Sequence, residues 1–347
     1  MEPITYAEYV KLSGDLNNRE KFRAYSTVVR GEGGFDFRVV PNPDLVTMTE
    51  EEAQLENAMQ IGNDTERAAR KFAFTMDRIF SRDKPVLVSE GDSWFQFPIL
   101  VREIIDYLNE QYAILSLGAA GDTAQNMVHG NLSPTQTEYL TNLRAQAQHV
   151  KAFLFSAAGN DIIGEDPVTK KSALFDILND FNGDTNDIAG HINEIVLAQR
   201  MAALQAAYSK VIADVRAEPG LQRLPIIFHG YDYPFPAPWG PNDPRNPIHA
   251  KKNEWLGEPL DDRNFPTSTQ AQLDLRRGIV KELIDRLYAM LNGLAGNSVQ
   301  TGIWVVDCRG AMPDVTDWID EIHGTSQGFG KVTELFRATL SSAMANA

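Results

Sequence analysis

The sequence is poor in cysteine and in long apolar runs. Cys308 is the only cysteine among 347 residues, so the chain cannot form an internal disulfide, and we expect this side chain to be buried rather than nucleophilic. The opening residues MEPITY contain neither a basic leader nor an apolar core, and no apolar run approaches the length of a membrane span. We therefore predict a cytoplasmic protein without stable membrane insertion, with signal-less export as the alternative.

The sequence also contains fewer basic than acidic residues. Lys and Arg number 32 against 47 Asp and Glu, which gives a formal net charge of −15 at pH 7. Such a charge repels nucleic acids and anionic membrane surfaces, so we expect neither as a partner. The 43% hydrophobic content of a chain this long supports a full core. Nothing in the composition indicates an oligomeric state.

Recognised cofactor and metal motifs are absent as well. There is no Gly-x-x-x-x-Gly-Lys-Ser/Thr segment, no Gly-x-Gly-x-x-Gly after a predicted strand, no His-Glu-x-x-His pair and no acidic calcium loop. Asp307, Asp320 and His323 would offer oxygen and nitrogen ligands to a metal, but their spacing matches none of these patterns. We expect chemistry that uses neither a cofactor nor a metal.

Short apolar segments alternate with amphipathic ones along the chain, which is typical of a parallel sheet covered by helices on both faces. We predict an α/β protein built as a three-layer α/β/α sandwich around a five-stranded, mainly parallel sheet. An apolar residue at every fourth position from Leu275 to Leu291 indicates one long helix with a core-facing stripe. The predicted strands are Val86–Ser89, Ala113–Leu117, Ala152–Phe155, Ile226–Phe228 and Ile303–Val306.

Four polar clusters lie at or beyond the ends of apolar runs. Open α/β sheets bind their ligands at the carboxyl ends of the strands, so we expect these clusters to meet at one edge. They are Gly91-Asp92-Ser93-Trp94, Gly118–Thr123, Gly159-Asn160-Asp161 and Asp320-Glu321-Ile322-His323.

The clusters contain the groups that acyl transfer needs. Ser93 follows a predicted strand and precedes a predicted helical segment, Phe97–Leu108, so it is presented where a nucleophile would sit. Asn160 has a side-chain amide that can stabilise a developing oxyanion. Asp320, three residues before His323, can fix the tautomer of that histidine and support it as the general base for Ser93.

In this order, the four clusters resemble the motifs of the SGNH hydrolases, also called the GDSL esterase/lipase family, over roughly two thirds of the chain. The resemblance implies a flavodoxin-like fold, a triad of Ser93, His323 and Asp320, and an oxyanion hole formed by the amides of Ser93 and Gly121 with the Asn160 side chain. This chain departs from the family pattern at Trp94, where the family has leucine, and at Ser116, where many members have asparagine.

Each of these residues also has a structural interpretation. Ser93 is a common residue type at helix N-caps, and glycines and Asn160 are common in turns. His229 is the rival base because it also follows an apolar run, although we favour a pocket-lining or loop-anchoring role for it. We place Trp94, His229 and Tyr231 in the substrate-binding region. No chemistry is assigned to the remaining histidines, His129, His149, His191 and His249, which we predict at the surface.

Regions outside the motifs suggest additions to the catalytic domain. We predict a partly helical N-terminal extension over residues 1–81, with a capping box at Thr49–Glu52 and one or two helices over Ala53–Phe80, and a hydrolase domain over 82–347. Insertions are expected at about 165–220, including a helix over Ile195–Val215, and at 233–267. The second is rich in proline, and its Trp239 and Trp255 either line a substrate pocket or pin the loop to the body.

The leading hypothesis is a serine ester hydrolase that acts through an acyl-enzyme on a small-molecule, glycan or lipid ester. The family that it resembles includes lipases, esterases, carbohydrate deacetylases and thioesterases, and the sequence does not separate these classes. The alternative is a binding or scaffold protein that retains the fold with little or no turnover. Intact Ser93, Asn160 and His323 argue against that alternative.

Overall fold

The computed structural model of the protein describes residues 2–6, 8–9, 21, 24–30, 37–49, 67, 70–97, 101–129, 137–164, 172–240, 243–245 and 255–347. The strands of these residues are β1 (Ile4–Thr5), β2 (Ser26–Arg30), β3 (Phe37–Pro41), β4 (Val46–Thr47), β5 (Val86–Gly91), β6 (Ala113–Ser116), β7 (Val150–Ser156), β8 (Ile226–His229) and β9 (Ile303–Val306). The helices that follow residue 100 are α1 (Ile104–Leu108), α2 (Ala124–His129), α3 (Glu138–Gln146), α4 (Gly159–Ile163), α5 (Ala173–Ile177), α6 (Glu194–Ala217), α7 (Gly257–Asp262), α8 (Gln270–Ala295), α9 (Ser298–Thr301) and α10 (Ser326–Ala345).

A five-stranded parallel sheet forms the centre of the molecule, in the order β6-β5-β7-β8-β9. Each predicted strand coincides with one of these within a few residues at either end, so the predicted sheet is confirmed. The chain goes from β5 to β6 on one side and then to β7 on the other. This reversal puts a crevice at the carboxyl ends of β5 and β7, where sheets of this kind bind ligands.

Successive side chains of the strands point to opposite faces, which divides the core into two layers. Val86 and Val88 of β5 pack with α2, α3, α6 and α8 on one face. Leu87 of the same strand packs with α1 and α10 on the other. The three-layer α/β/α sandwich is therefore confirmed. The stripe from Leu275 to Leu291 lies on α8 and is buried as predicted, and α6 contains the helix predicted at Ile195–Val215.

The helical segment predicted over Phe97–Leu108 is wrong in its first half. The helix of this region, α1, begins only after Glu103, whose carboxylate accepts a hydrogen bond from the Ile105 amide at 2.7 Å. Asp106 binds back to the Glu103 amide and completes a capping box. Phe97 also precedes a proline, which disfavours helical backbone at that position, and residues 98–100 lie outside the described part of the chain.

Before residue 82, the described residues contain short strands that the sequence analysis did not predict. β1 pairs with β4 in parallel, and β2 pairs with β3 in antiparallel fashion. Residues 70–80 are helical, whereas the capping box from Glu50 onward and residues 51–66 lie outside the described residues. Arg70 is buried against the Glu103 carboxylate and the Phe95 carbonyl, so contacts cross the predicted boundary at 81, which stays a prediction. No helix that the structure describes is both long enough and apolar enough to span a membrane.

A buried carboxylate helps to hold the proline-rich insertion against the body. Glu321 is fully buried and accepts four backbone hydrogen bonds, from Ala237 at 2.6 Å, Gly257 at 2.8 Å, Trp255 at 2.9 Å and Leu256 at 3.0 Å. Burial raises the pKa of Glu321 above its ordinary value, although these four hydrogen bonds act to lower it. The four donors come from two places in the insertion, residue 237 and residues 255–257. Glu321 therefore connects both places to the segment that carries Asp320 and His323.

Replacement of Glu321 by glutamine is expected to destabilise the protein. The amide of Gln would put a donor group against backbone donors and would lose at least two of the four hydrogen bonds. At about 1.5–3 kcal/mol for each bond to a charged group, the Glu321→Gln variant should lose about 3–6 kcal/mol of unfolding free energy. Urea unfolding followed by circular dichroism measures this loss.

Glu334→Gln is the matched control, because Glu334 is exposed and pairs with Arg337 at the surface, where an ion pair contributes about 0–1 kcal/mol. Equal urea midpoints for the two variants would show that the Glu321 carboxylate does not hold the insertion.

Candidate active site

Ser93 lies in a tight turn directly after β5. The Phe95 and Gln96 amides both donate to the Asp92 carbonyl at 3.0 Å, which closes the turn and leaves Ser93 partly exposed at its apex. Gly91 makes the turn possible, because a Cβ atom there would lie 2.7 Å from the Ser156 Cβ and 2.8 Å from the Phe95 ring. Ser93 thus emerges beyond the carboxyl end of β5, as predicted.

The structure brings Ser93, His323 and Asp320 into one hydrogen-bonded row. The Nε2 atom of His323 is 2.8 Å from the Ser93 Oγ, and its Nδ1 atom is 2.8 Å from the Asp320 Oδ2. The other Asp320 oxygen accepts the backbone amides of His323 at 2.7 Å and Ile322 at 2.8 Å. Because the carboxylate binds both the ring and the backbone of the same short loop, the orientation of the imidazole is fixed.

Asp320 is held in its ionised form. Burial by itself would raise its pKa, but the nearby His323 and the hydrogen bonds from His323 and Ile322 outweigh burial, so the pKa lies below its ordinary value. Arg245 is also buried here and donates from Nη1 to the Asp320 backbone carbonyl at 3.1 Å. The negative charge therefore remains beside the His323 ring near neutral pH, where it stabilises a protonated imidazole.

Asn160 follows β7, the strand next to β5, and borders the same cavity as Ser93. It lies in the first turn of α4, after Ala158, which has a φ of +98°, a backbone conformation that is uncommon without glycine. The Asn160 Nδ2 donates to the Asp122 carbonyl at 2.8 Å. An amide nitrogen carries two hydrogens, so this bond orients the group and leaves a second donor.

Gly121 is connected to Asn160 through its neighbour Asp122. It has a φ of +91° and directly precedes Asp122, whose carbonyl binds Asn160. Gly118, in the same loop, packs so closely on β5 that a Cβ atom would lie 2.9 Å from the Gly91 carbonyl oxygen. Gly121 itself is exposed and does not line the cavity next to Ser93, so its predicted role in an oxyanion hole stays a prediction.

Asp92 and Asp161 support the loops around Ser93. Asp92 accepts the Trp94 amide at 3.1 Å and the Ser156 hydroxyl at 2.8 Å, and its second oxygen accepts the Tyr231 hydroxyl. Asp161 accepts the Ala124 amide at 2.9 Å, and its pKa is raised to about 6 by burial. Each carboxylate therefore joins loops that follow different strands.

Of the three predicted substrate-binding residues, Trp94 and Tyr231 line the cavity and His229 does not. His229 is 0% exposed, and it lies between Trp94, Phe95 and Phe336 with ring centroids 5.2 to 5.8 Å apart. Burial lowers its pKa, which keeps the ring neutral. The predicted pocket-lining role of His229 is wrong, because the last residue of β8 points into the core rather than across the edge.

Other polar residues occupy structural positions. His191, predicted at the surface, is 0% exposed and stacks on Phe181 at 5.6 Å, and His249 lies outside the described residues. Cys308 is buried, and burial raises the pKa of its thiol. Asp307 is paired with Arg309 at 2.6 Å, and within the described ranges no group of three or more His, Cys, Asp or Glu side chains could hold a metal ion.

A cavity opens beside Ser93, with about 820 Å³ of space free of protein atoms, part of it open to solvent. Trp255 packs edge-on against the His323 ring at 5.8 Å and Trp239 against Phe235 at 4.8 Å, and neither lines this cavity. The part of the wall that comes from α6 and α8 was not predicted from the sequence. Its only signal in the sequence is the apolar helical periodicity that also marks core residues.

Comparison with known proteins finds no matching family model and no matching curated protein. Among solved structures, the chain is similar to a "putative platelet activating factor" from Streptococcus pneumonia, at 11% identity and a TM-score of 0.42 over 83% of this chain and 97% of that one. It is also similar to an extracellular lipase from Streptomyces rimosus, at 13% identity and a TM-score of 0.43 over 74% and 100% of the two chains. A carbohydrate esterase of family 3 from Talaromyces cellulolyticus has 10% identity and a TM-score of 0.40 over 76% and 99%. Likenesses of this size do not by themselves assign an activity to the chain.

Proposed function

We propose that the protein is a serine hydrolase that cleaves carboxylic esters through an acyl-enzyme on Ser93. The observation that carries the proposal is the continuous row of hydrogen bonds from the Asp320 carboxylate through the His323 ring to the Ser93 hydroxyl. A neutral serine is a weak nucleophile and needs an adjacent base to accept its proton. The order of these residues along the chain is that of the SGNH hydrolases that the sequence resembles.

In the first step, the Ser93 Oγ attacks the ester carbonyl carbon while its proton passes to the His323 Nε2. Asp320 stabilises the imidazolium that forms. The negative charge on the carbonyl oxygen is met by the Asn160 side chain, with the Ser93 and Gly121 amides as the further donors. When the carbonyl re-forms, the bond to the alcohol oxygen breaks, and His323 returns the proton to the leaving alcohol.

The second step repeats this sequence with water. His323 takes a proton from the water that attacks the acyl-enzyme, and the carboxylic acid leaves as Ser93 regains its proton. Neither half of the reaction needs a cofactor. Cys308 has no part in it, because a buried thiol whose pKa is raised supplies little thiolate.

Removal of the nucleophile or of the base should abolish turnover. We expect Ser93→Ala and His323→Ala each to lower kcat on 4-nitrophenyl acetate by at least about 10³-fold, because the three residues act as one unit. A fluorophosphonate probe should label the wild-type protein at Ser93, as read by mass spectrometry of the modified peptide.

Ser209→Ala, at an exposed serine on α6, is the control and should keep wild-type labelling and turnover. A wild-type protein that neither reacts with the probe nor hydrolyses any ester would contradict the proposal and favour a non-catalytic protein of the same fold.

Loss of the Asn160 amide should slow the chemistry without removing the nucleophile. We expect Asn160→Ala to reduce kcat by about 10²–10³-fold, the usual effect of deleting one oxyanion donor. Ser93 should still react with the fluorophosphonate probe, though more slowly. Asn142→Ala, in which a partly buried asparagine of α3 loses its bond to the Glu138 carbonyl, is the control. Equal kcat values for the two variants would exclude Asn160 from the oxyanion hole.

A further inference from the structure

The wall of the cavity beside Ser93 consists mostly of apolar side chains. It extends from Ser93 and Asn160 to side chains of α4, α5, α6 and α8. From α6 it takes Leu197, Met201 and Leu204, which are spaced four and three residues apart and so share one face of the helix. The predicted insertion at 165–220, which contains α5 and α6, therefore builds part of the wall.

The opposite wall comes from α8. Its contribution is Val280, Leu283, Ile284 and Leu287, again at the spacing of a single helix face. Part of the stripe that the sequence marked as core thus borders the cavity. Two apolar helix faces enclose the space, and they come from parts of the chain that lie far apart in the sequence.

The polar side chains of the wall are already bound within the protein. Asp92 accepts three hydrogen bonds, one of them from Tyr231, and Asp232 accepts the backbone amides of Gly310 and Met312 at 2.5 Å. The Trp94 and Trp318 ring nitrogens donate to backbone carbonyls at 3.0 and 3.1 Å. Among the described residues of the wall, Ser93 and Asn160 are therefore the polar side chains that can still offer a hydrogen-bonding group to a substrate.

A sugar ring requires many hydrogen-bond partners when it leaves water, because unpaired hydroxyls cost free energy. A wall that offers so few selects a hydrocarbon chain instead. An ester has two arms, however, and either the acyl chain or the alcohol could in principle be the hydrocarbon that enters the cavity.

The position of His323 distinguishes the two arms. His323 must protonate the leaving oxygen, so the alcohol lies on the His323 side of Ser93. Ile322 borders the cavity, but its neighbours Asp320 and His323 do not, whereas Asn160, which would bind the carbonyl oxygen, does. The arm that extends into the cavity is therefore the one that stays attached to Ser93 after the alcohol departs.

We propose that the cavity between α6 and α8 is an acyl-chain site, and that the enzyme selects esters of medium-chain fatty acids by their acyl part rather than by their alcohol. This inference rests on the function proposed above. Each methylene that leaves water is expected to raise kcat/KM about four-fold (about 0.8 kcal/mol) until the cavity is full.

Two isomeric esters test the direction of the chain. Ethyl hexanoate and hexyl acetate have the same atoms, but only the first has a long acyl arm. With kcat/KM measured by proton release, ethyl hexanoate should exceed ethyl acetate by on the order of 10²-fold, from four added methylenes at about four-fold each. Hexyl acetate should show less than a tenth of that gain.

A filled cavity should remove the preference. Met201 is half-buried on the wall, so Met201→Trp extends a ring into the space, and kcat/KM for ethyl hexanoate should fall at least about ten-fold while that for ethyl acetate stays within about two-fold. Met290→Trp is the matched control, because Met290 is also half-buried, lies on α8 and does not border the cavity. It should leave the ratio of the two rates unchanged.

The outcomes separate the two proposals. Fluorophosphonate labelling and hydrolysis of ethyl acetate, combined with equal rates on the two isomers, would overturn the acyl-chain site and leave the serine hydrolase intact. A preference for hexyl acetate would likewise overturn it, since the alcohol would then occupy the cavity. Absence of both labelling and turnover would overturn the proposed function and this inference with it. The comparison of isomers uses the wild-type protein, so it does not depend on whether a variant folds.

Discussion

The loops at the carboxyl edge of the sheet depend on buried carboxylates that bind backbone amides. Irregular backbone that is buried must find partners for its N–H groups, and at this edge aspartate and glutamate side chains supply many of them. Asp92 connects the turn after β5 with the end of β7 and with Tyr231. Asp232 connects the loop after β8 with the loop after β9. Glu321 holds the proline-rich insertion, and Asp320 holds the loop of His323. Part of the large acidic excess of the sequence is therefore structural.

This arrangement explains how a hydroxyl and an imidazole that lie 230 positions apart in sequence meet at 2.8 Å. Ser93 is fixed by the close approach of Gly91 to β7, which no larger residue allows. His323 is fixed by the two oxygens of Asp320, one on its ring and one on its backbone. Because both anchors are buried and bonded, the row of hydrogen bonds exists before any substrate binds. Preorganised groups of this kind need little rearrangement during a reaction.

The acyl-chain proposal places specificity in a different part of the chain from the reactive groups. The reactive groups come from the ends of β5 and β7 and from the loop before α10, whereas two apolar faces of the cavity wall come from α6 and α8. These helices also cover the sheet, so the residues that border the cavity continue into the core on either side. Substitutions in the wall are therefore expected to alter packing as well as chain-length preference, which is why a half-buried methionine is the preferred position for the test.

The sequence by itself determined the five strands, the long helices α6 and α8 and the four polar clusters at the carboxyl edge. These features follow from local patterns: runs of apolar residues, a stripe at helical spacing, and glycine and polar residues where strands end.

The sequence did not predict the features that depend on long-range packing. The helix predicted from Phe97 begins only after Glu103, and His229 and His191 lie in the core, although we predicted the first at the substrate pocket and the second at the surface. The hold of Glu321 on the insertion and the apolar cavity between α6 and α8 were decided by the tertiary structure alone. Each depends on which distant segments pack together, and an apolar helix face has the same sequence pattern whether it meets another helix or the empty space that a substrate fills.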